Sequence, residues 1–332
     1  MGNQTMLKLY RGYGHTNDMV LFGHVLNNPI KTVQVNSRGA WTNLFHLLHL
    51  FRVKPAGNRA VKTTWKGQTI ETVSETDGFF VLEWKSVESA PAGVHNLQVC
   101  LQDDSNTLYE AAGEIVVPHI TQYAFISDID DTVMVSHSAT TLKRLKELLF
   151  KSPAQRKIFK DVDRHYQLLA LSHTTPHEPN PFFYVSSSEW NLYDYLLTFF
   201  SINRLPQGAF LLSQIKKWYE LFKTGKTKHE GKLLRIMRLF VHFPKQHFVL
   251  FGDNSQRDPF IYETLTEKYG ERIAAVYIRN VAPGNFAATE EVLKKIQGRN
   301  IATLQFTQSV DAIAHSKAIG LITVPDDVLI KD

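Results

Sequence analysis

From about residue 120 onward the chain alternates short, uniformly apolar runs with longer stretches of helical periodicity. The runs at 123–128, 182–186, 208–212, 247–251 and 274–279 read as strands. Between them 140–150, 190–200, 213–223, 230–242 and 258–268 read as helices. In 230–242 the residues Leu233, Leu234, Ile236, Met237 and Phe240 form one apolar stripe, and Pro244 stops the helix. Leu192, Tyr195, Leu196 and Phe199 form a similar stripe. A terminal unit over 289–317 adds a helix, a strand near 301–306 and a last helix. Strand and helix in alternation predict an α/β fold, with a mainly parallel sheet and helices on both faces.

The first 118 residues carry a different pattern. Short strand candidates occur at 19–26, 33–35, 95–102 and 109–117. Residues 63–85 read as a pair of strands around the turn signal Thr76-Asp77-Gly78. One apolar helix candidate, 41–53, interrupts this β-rich stretch. The pattern predicts a small β-sandwich over 1–118, an α/β domain over 119–332, and a boundary at Pro118-His119.

Two strand ends concentrate acid. The first is Ile126-Ser127-Asp128-Ile129-Asp130-Asp131-Thr132, with three carboxylates in four residues. Carboxylates repel one another and do not pack in a core, so such crowding calls for a cation. A hard divalent ion such as Mg²⁺, which takes oxygen ligands, suits that donor set. The second is Phe251-Gly252-Asp253-Asn254, followed by Asp258. Between them Val185-Ser186-Ser187-Ser188 ends a third strand in hydroxyls, suitable donors to phosphate oxygens. Lys232 opens the periodic part of helix 230–242, and Lys228 competes with it for a charge-balancing role. In open α/β sheets ligands bind at such carboxyl ends of strands.

This order of motifs resembles the haloacid dehalogenase-like phosphohydrolases, with Asp128-x-Asp130-x-Thr132, a strand-end serine, a lysine and Gly252-Asp253 with Asp258. The wording of 126–133, 184–193, 243–244, 248–262 and 275–281 is similar to the actin-patch-associated phosphatidate phosphatase family. The resemblance covers roughly 120–285 and only weakly the amino-terminal third. It implies a Rossmannoid parallel sheet and a Mg²⁺-dependent phosphomonoester hydrolase. Asp128 is then the nucleophile, Asp130 the acid and base, and Ser186 and Lys232 the stabilisers of the transferring phosphoryl group. Ser187 is a lesser rival of Ser186. The implied Mg²⁺ ligands are Asp128, the backbone carbonyl of Asp130, and Asp253; Thr132, Asn254 and Asp258 support them. Glu189 stands where that family often has proline, which bears on substrate preference. Phosphatidate is the substrate the resemblance points to. A soluble phosphomonoester is the alternative, and a non-catalytic membrane- or protein-binding scaffold is a third reading.

Composition narrows the setting. The 332 residues are 43% hydrophobic, enough for two domains with sizeable cores. The single cysteine, Cys100, excludes an intramolecular disulfide, fits a reducing compartment and reads as a buried strand residue. The amino terminus has no apolar signal-peptide core, and Gly2 with Met6 matches the myristoylation pattern only in part. These features predict a cytoplasmic protein, at most peripheral to membranes. The net charge of +5 favours anionic partners. Basic residues gather at Lys143, Arg144, Lys146, Lys151, Arg156, Lys157 and Lys160, and again at Lys216, Lys217, Lys223, Lys226, Lys228 and Lys232. Trp218, Tyr219, Leu221 and Phe222 interleave with the second group, as in an interfacial helix facing anionic lipid. No helix-turn-helix, zinc-finger or RNP signature accompanies this charge, so nucleic acid is not expected. About fifty residues separate the first acidic strand end from Phe182, where the superfamily often inserts a cap. His173 and His177 there have i, i+4 spacing, but Pro176 breaks the helix that would align them on zinc.

Overall fold

A computed structural model of the chain describes residues 5–27, 54–102, 108–120, 122–135, 156–175, 177–213 and 227–325. The strand candidate at 33–35 and the helix candidates at 41–53, 140–150 and most of 213–223 lie outside these residues.

The amino-terminal unit contains β1 (Thr5–His15), β2 (Asp18–Asn27), β3 (Lys54–Pro55), β4 (Ala60–Trp65), β5 (Gln68–Val73), β6 (Phe79–Lys85), β7 (Gly93–Gln102) and β8 (Leu108–Val117). They run in the order β3-β2-β1-β8-β7-β4-β5, with β6 paired to β2. The expected sandwich is therefore joined into one hydrogen-bonded sheet. The link is a short parallel pairing of β1 with β8, Gly12 opposite Ile115 and Tyr13 opposite Val116. The two strands flanking Thr76-Asp77-Gly78 do not form a hairpin. β5 pairs with β4 across Lys66-Gly67, and β6 pairs with β2 over Asp18–His24. Lys66 and Gly67 both have positive φ, which suits a two-residue hairpin turn. Met19, Leu21, Val61, Phe80, Leu82, Val99 and Ile115 are fully buried in this unit's core. Cys100, on β7, is only half-buried.

The second sheet comprises β9 (Tyr123–Ser127), β10 (Phe182–Glu189), β11 (Gly208–Ser213), β12 (His247–Asp253), β13 (Ile273–Arg279) and β14 (Ala302–Phe306). All of its pairings are parallel, in the order β11-β10-β9-β12-β13-β14. The helices are α1 (Val162–Leu171), α2 (Tyr193–Ile202), α3 (Thr227–His242), α4 (Asp258–Tyr269), α5 (Phe286–Gln297) and α6 (Ser309–Ala318). The chain steps from β9 through β10 to β11, then crosses back to β12 and continues outward. Right-handed crossovers put helices on opposite faces for the two directions. The packing agrees: α1 meets α6, while α3, α4 and α5 pack in series. Sheet strands buried on both faces explain the uniformly apolar runs, such as Phe248, Val249, Leu250 and Phe251, each at most 1% exposed. Each such side chain contributes roughly 1.5–3 kcal/mol.

The reversal of strand order lies between β9 and β12, which pair over Tyr123–Ser127 and His247–Phe251. That is the topological switch point, where a crevice opens beyond the strand ends. The two units share one core. Tyr10 stacks on Trp190 at 4.2 Å between ring centroids, Tyr13 meets Phe183 edge-on at 5.6 Å, and Arg238 pairs with Glu83 at 2.6 Å.

Candidate active site

The paired ends of β9 and β12 bring together residues more than a hundred positions apart. The backbone N–H of Asp128 donates to the Phe251 carbonyl, continuing the ladder by one residue beyond β9. Asp128 and Asp253 thereby leave neighbouring strands side by side. Asp258, at the first turn of α4, completes a group of three buried carboxylates with one oxygen of each within 4.8 Å of the others. Gly252 permits this approach, because Asp258 occupies the space where a side chain at 252 would stand.

Lys232 enters the group from α3. Its Nζ donates to Oδ1 of Asp128 at 2.7 Å and to Oδ1 of Asp258 at 2.5 Å, with all three side chains buried. The other Asp258 oxygen accepts the backbone N–H of Asp253 at 3.4 Å. Oδ1 of Asp253 accepts the Ser255 N–H at 2.6 Å. Oδ2 of Asp128 and Oδ2 of Asp253 remain shielded from solvent without a hydrogen-bond partner, and so does Oγ1 of Thr132.

The charges respond as burial dictates. Burial raises the Asp128 carboxyl well above the usual carboxylate range; Lys232 opposes the shift, and Asp258, Asp253 and Asp130 add to it. Asp253 is pushed up to about 7 by burial and by Asp258, against the Ser255 hydrogen bonds and Lys232. Burial alone would lower the Lys232 ammonium, but Asp128 and Asp258 hold it above its ordinary value. A cluster of this kind, with two unpartnered oxygens on adjacent strand ends, has the donor chemistry of a divalent-cation site. Those oxygens belong to the two side chains that the family resemblance implies as Mg²⁺ ligands.

Of the other expected residues, Asp130 stands apart from the three-carboxylate group, and Oδ2 of Asp130 accepts the Ser186 hydroxyl at 3.3 Å. Ser186 Oγ also accepts the Ser188 N–H at 3.0 Å. Ser187 points the other way along β10, as strand alternation requires, and its carbonyl accepts Ser213. Lys228 lies on α3, but its side chain is outside the described residues. Asn254 stays out of the cluster. Its amide ties the end of β12 to the loop after β13, accepting from Val281 and Ala282 and donating to Asn280 and Ala282.

The expected cationic rim is only partly described. Lys143, Arg144, Lys146, Lys151, Lys216, Lys217, Lys223 and Lys226 lie outside the described residues, as do Trp218, Tyr219, Leu221 and Phe222. Lys157 and Lys160 are exposed. Arg156 is buried against Met134 and Lys232 is inside the site, so neither can belong to a solvated rim. His173 bonds the Gly320 carbonyl instead of a metal partner.

Sequence reasoning missed three supports. Arg279, at the end of β13, donates from Nε to the Thr132 carbonyl at 2.9 Å and lies between the rings of Phe159 and Phe306. It braces the loop carrying the first acidic motif. Ser127 donates to the Asp128 carbonyl at 2.6 Å and contacts the Tyr166 hydroxyl at 2.8 Å, fixing the backbone that presents Asp128. Arg235, one turn beyond Lys232, donates to the Ser186 carbonyl. An arginine ending an apolar strand, as in 274–279, is the one signal that could have revealed the first of these.

Residues 123–280, which contain the whole constellation, match the sequence model of the family described as phosphatidate phosphatase APP1, catalytic domain. An uncharacterized protein of Schizosaccharomyces pombe is 21% identical over 214 residues, covering 63% of this chain. The match spans 34% of that relative's length, so this chain accounts for about a third of it. Among solved structures, a minor pilin from Streptococcus sanguinis gives a TM-score of 0.32 at 9% identity, covering 83% of this chain and 90% of that one. A carbohydrate acetylesterase from Xanthomonas citri gives 0.30 at 9% identity, covering 96% and 75%. Scores this low carry no argument about fold or function.

Proposed function

We propose that this chain is a phosphomonoester hydrolase that cleaves phosphatidate to diacylglycerol and phosphate. The observation that carries the reading is Lys232, held between Asp128 and Asp258 at the adjoining ends of β9 and β12. It lies inside the segment that matches the phosphatidate phosphatase catalytic domain. The haloacid dehalogenase-like assignment belongs to the same proposal, supported by the all-parallel sheet, the switch-point location and the order of the motifs. So does the division of the chain near Pro118-His119, since β8 ends at Val117 and β9 begins at Tyr123.

In this reading an oxygen of Asp128 attacks phosphorus, and the bond from phosphorus to the diacylglycerol oxygen breaks. Asp130 gives its proton to that leaving oxygen. Water then attacks the aspartyl-phosphate, Asp130 takes the water's proton, and phosphate leaves with the Asp128 carboxylate restored. Lys232 favours the ionised form of the buried nucleophile against the effect of burial and orients it by its 2.7 Å bond. Ser186, 3.3 Å from Asp130, is placed to donate to a phosphoryl oxygen next to the acid. Mg²⁺, held by Asp128, the Asp130 carbonyl and Asp253, would supply the positive charge that screens the nucleophile from its anionic target. Thr132, Asn254 and Asp258 position these groups.

A phosphatidate substrate puts the enzyme at an anionic membrane surface, in peripheral contact from the cytoplasmic side. Among the described residues no helix is long and apolar enough to cross a membrane. The test is phosphate release by the purified protein with Mg²⁺, offered phosphatidate in mixed micelles beside a panel of soluble phosphomonoesters. Preference for phosphatidate is expected. Preference for a soluble ester would keep the chemistry and discard the lipid, and no release from any ester would contradict the reading.

A further inference from the structure

Lys232 has two carboxylates, whereas Arg235, one turn further along α3, has none among the described residues. The guanidinium of Arg235 folds back toward the start of the helix, the direction in which helical side chains tilt. Its Nη1 lies 3.4 Å from where a Cβ on Gly231 would stand, and its Nη2 donates to the Ser186 carbonyl at 3.3 Å. The head group therefore lies between the residue preceding Lys232 and the backbone of Ser186. In the proposed chemistry Ser186 serves a phosphoryl oxygen and Lys232 the nucleophile that attacks it, so the guanidinium lies beside both. Nε of Arg235 is shielded from solvent and has no hydrogen-bond partner. Burial alone brings the guanidinium down to about 10, with no neighbouring carboxylate to hold it up. The next arginine on the helix is a useful contrast, since Arg238 is paired with Glu83 at 2.6 Å. A partly desolvated guanidinium with open donors matches phosphate oxygens, which it can take two at a time.

We propose that Arg235 is a phosphate-binding residue, a second cationic contact that holds the substrate's phosphoryl oxygens while Lys232 stays with Asp128 and Asp258. The proposal rests on the phosphatase reading above. It divides the labour between two cations of one helix: Lys232 serves the nucleophile, and Arg235 serves the ligand.

The experiment measures the affinity of the Mg²⁺-loaded full chain for inorganic phosphate by calorimetry, together with kcat and KM for phosphate release from phosphatidate. Arg235→Gln and Arg235→Lys are compared with the unchanged protein. Loss of charge-assisted hydrogen bonds should weaken phosphate binding and raise KM on the order of 10- to 100-fold in Arg235→Gln, with a smaller change in kcat. Arg235→Lys, which keeps the charge but loses the fork, should recover part of the loss. Phosphate affinity within about twofold of the unchanged protein in a folded Arg235→Gln would overturn the proposal. If Arg235→Gln does not fold, Arg235→Lys decides, and an unaltered affinity and KM there would overturn it. An unchanged protein that binds phosphate and hydrolyses phosphatidate, with unaffected variants, sinks the role of Arg235 alone. An unchanged protein that does neither sinks the phosphatase reading and this proposal together.

Discussion

Gly252 faces Asp258 so closely that a methyl group at 252 would stand 2.6 Å from Oδ2 and 2.7 Å from Cβ of the aspartate. Asp258 in turn holds Lys232 and the backbone N–H of Asp253. The smallest possible substitution on β12 therefore reaches the whole cluster. Gly252→Ala should cost about 1–3 kcal/mol through overpacking, read as a lowered Tm. It should also reduce phosphate release on the order of 100-fold, because Asp258 and Lys232 must both shift. Activity close to normal would mean that the cluster tolerates a displacement this geometry forbids.

Asp128→Asn keeps the shape of the side chain and removes the proposed nucleophile. Turnover should fall on the order of 1,000-fold or more, with an unchanged circular dichroism spectrum.

The two candidate lysines separate by thermal unfolding and activity together. Lys232→Ala strands two buried carboxylates, which should cost about 3–5 kcal/mol and nearly all activity. Lys228→Ala should cost much less of both. The reverse ranking would place the functional lysine one turn earlier on α3.

The metal-free protein should lose stability as pH rises from about 4 to about 7. Asp128 and Asp253 have folded-state pKa values raised above those of the unfolded chain, Asp253 to about 7. In that window the folded state keeps protons that the unfolded state has released, so raising the pH favours unfolding. Each such proton gives a slope of about 1.4 kcal/mol per pH unit. If Mg²⁺ takes the place of the protons, as proposed, it should raise Tm far more at pH 8 than at pH 5. Melting curves in EDTA and in Mg²⁺ at both values check this. A Tm in EDTA that climbs from pH 5 to pH 8 would contradict it.

Trp190 links the two units. It follows β10 directly, stacks on Tyr10 at 4.2 Å and lies 5.7 Å from Phe79 between ring centroids. Trp190→Ala should destabilise the protein by about 3–5 kcal/mol. Because Tyr10, Val20 and Phe22 share a core with the parallel sheet, calorimetry of the unchanged protein should show one transition and not two.

The sequence revealed what was local. Fully buried parallel strands leave uniform apolar runs, so 182–186 and 247–251 could be read directly. The acids at the ends of 123–128 and 247–251 stand out because carboxylates are out of place beside such runs. β1 was not legible, since Lys8, Arg11, Gly12 and Gly14 break any simple alternation in Thr5–His15. Its pattern makes sense only once the strand packs between its own sheet and Trp190, Phe183 and Tyr193. The partner of β6 was hidden for a similar reason: Thr76-Asp77-Gly78 does turn the chain, but β2 supplies the hydrogen bonds. Arg235 and Arg279 look like ordinary basic residues until tertiary contacts bring them to Ser186 and Thr132.

The most direct test is to look for phosphate on Asp128 itself. Radiolabelled phosphatidate would be mixed with the Mg²⁺-loaded protein and acid-quenched within the first turnovers, and the labelled peptide mapped. Label on Asp128, labile to hydroxylamine and lost in Asp128→Asn together with turnover, is the result this account predicts. Continued turnover by folded Asp128→Asn, or label mapped to another residue during turnover, would contradict it.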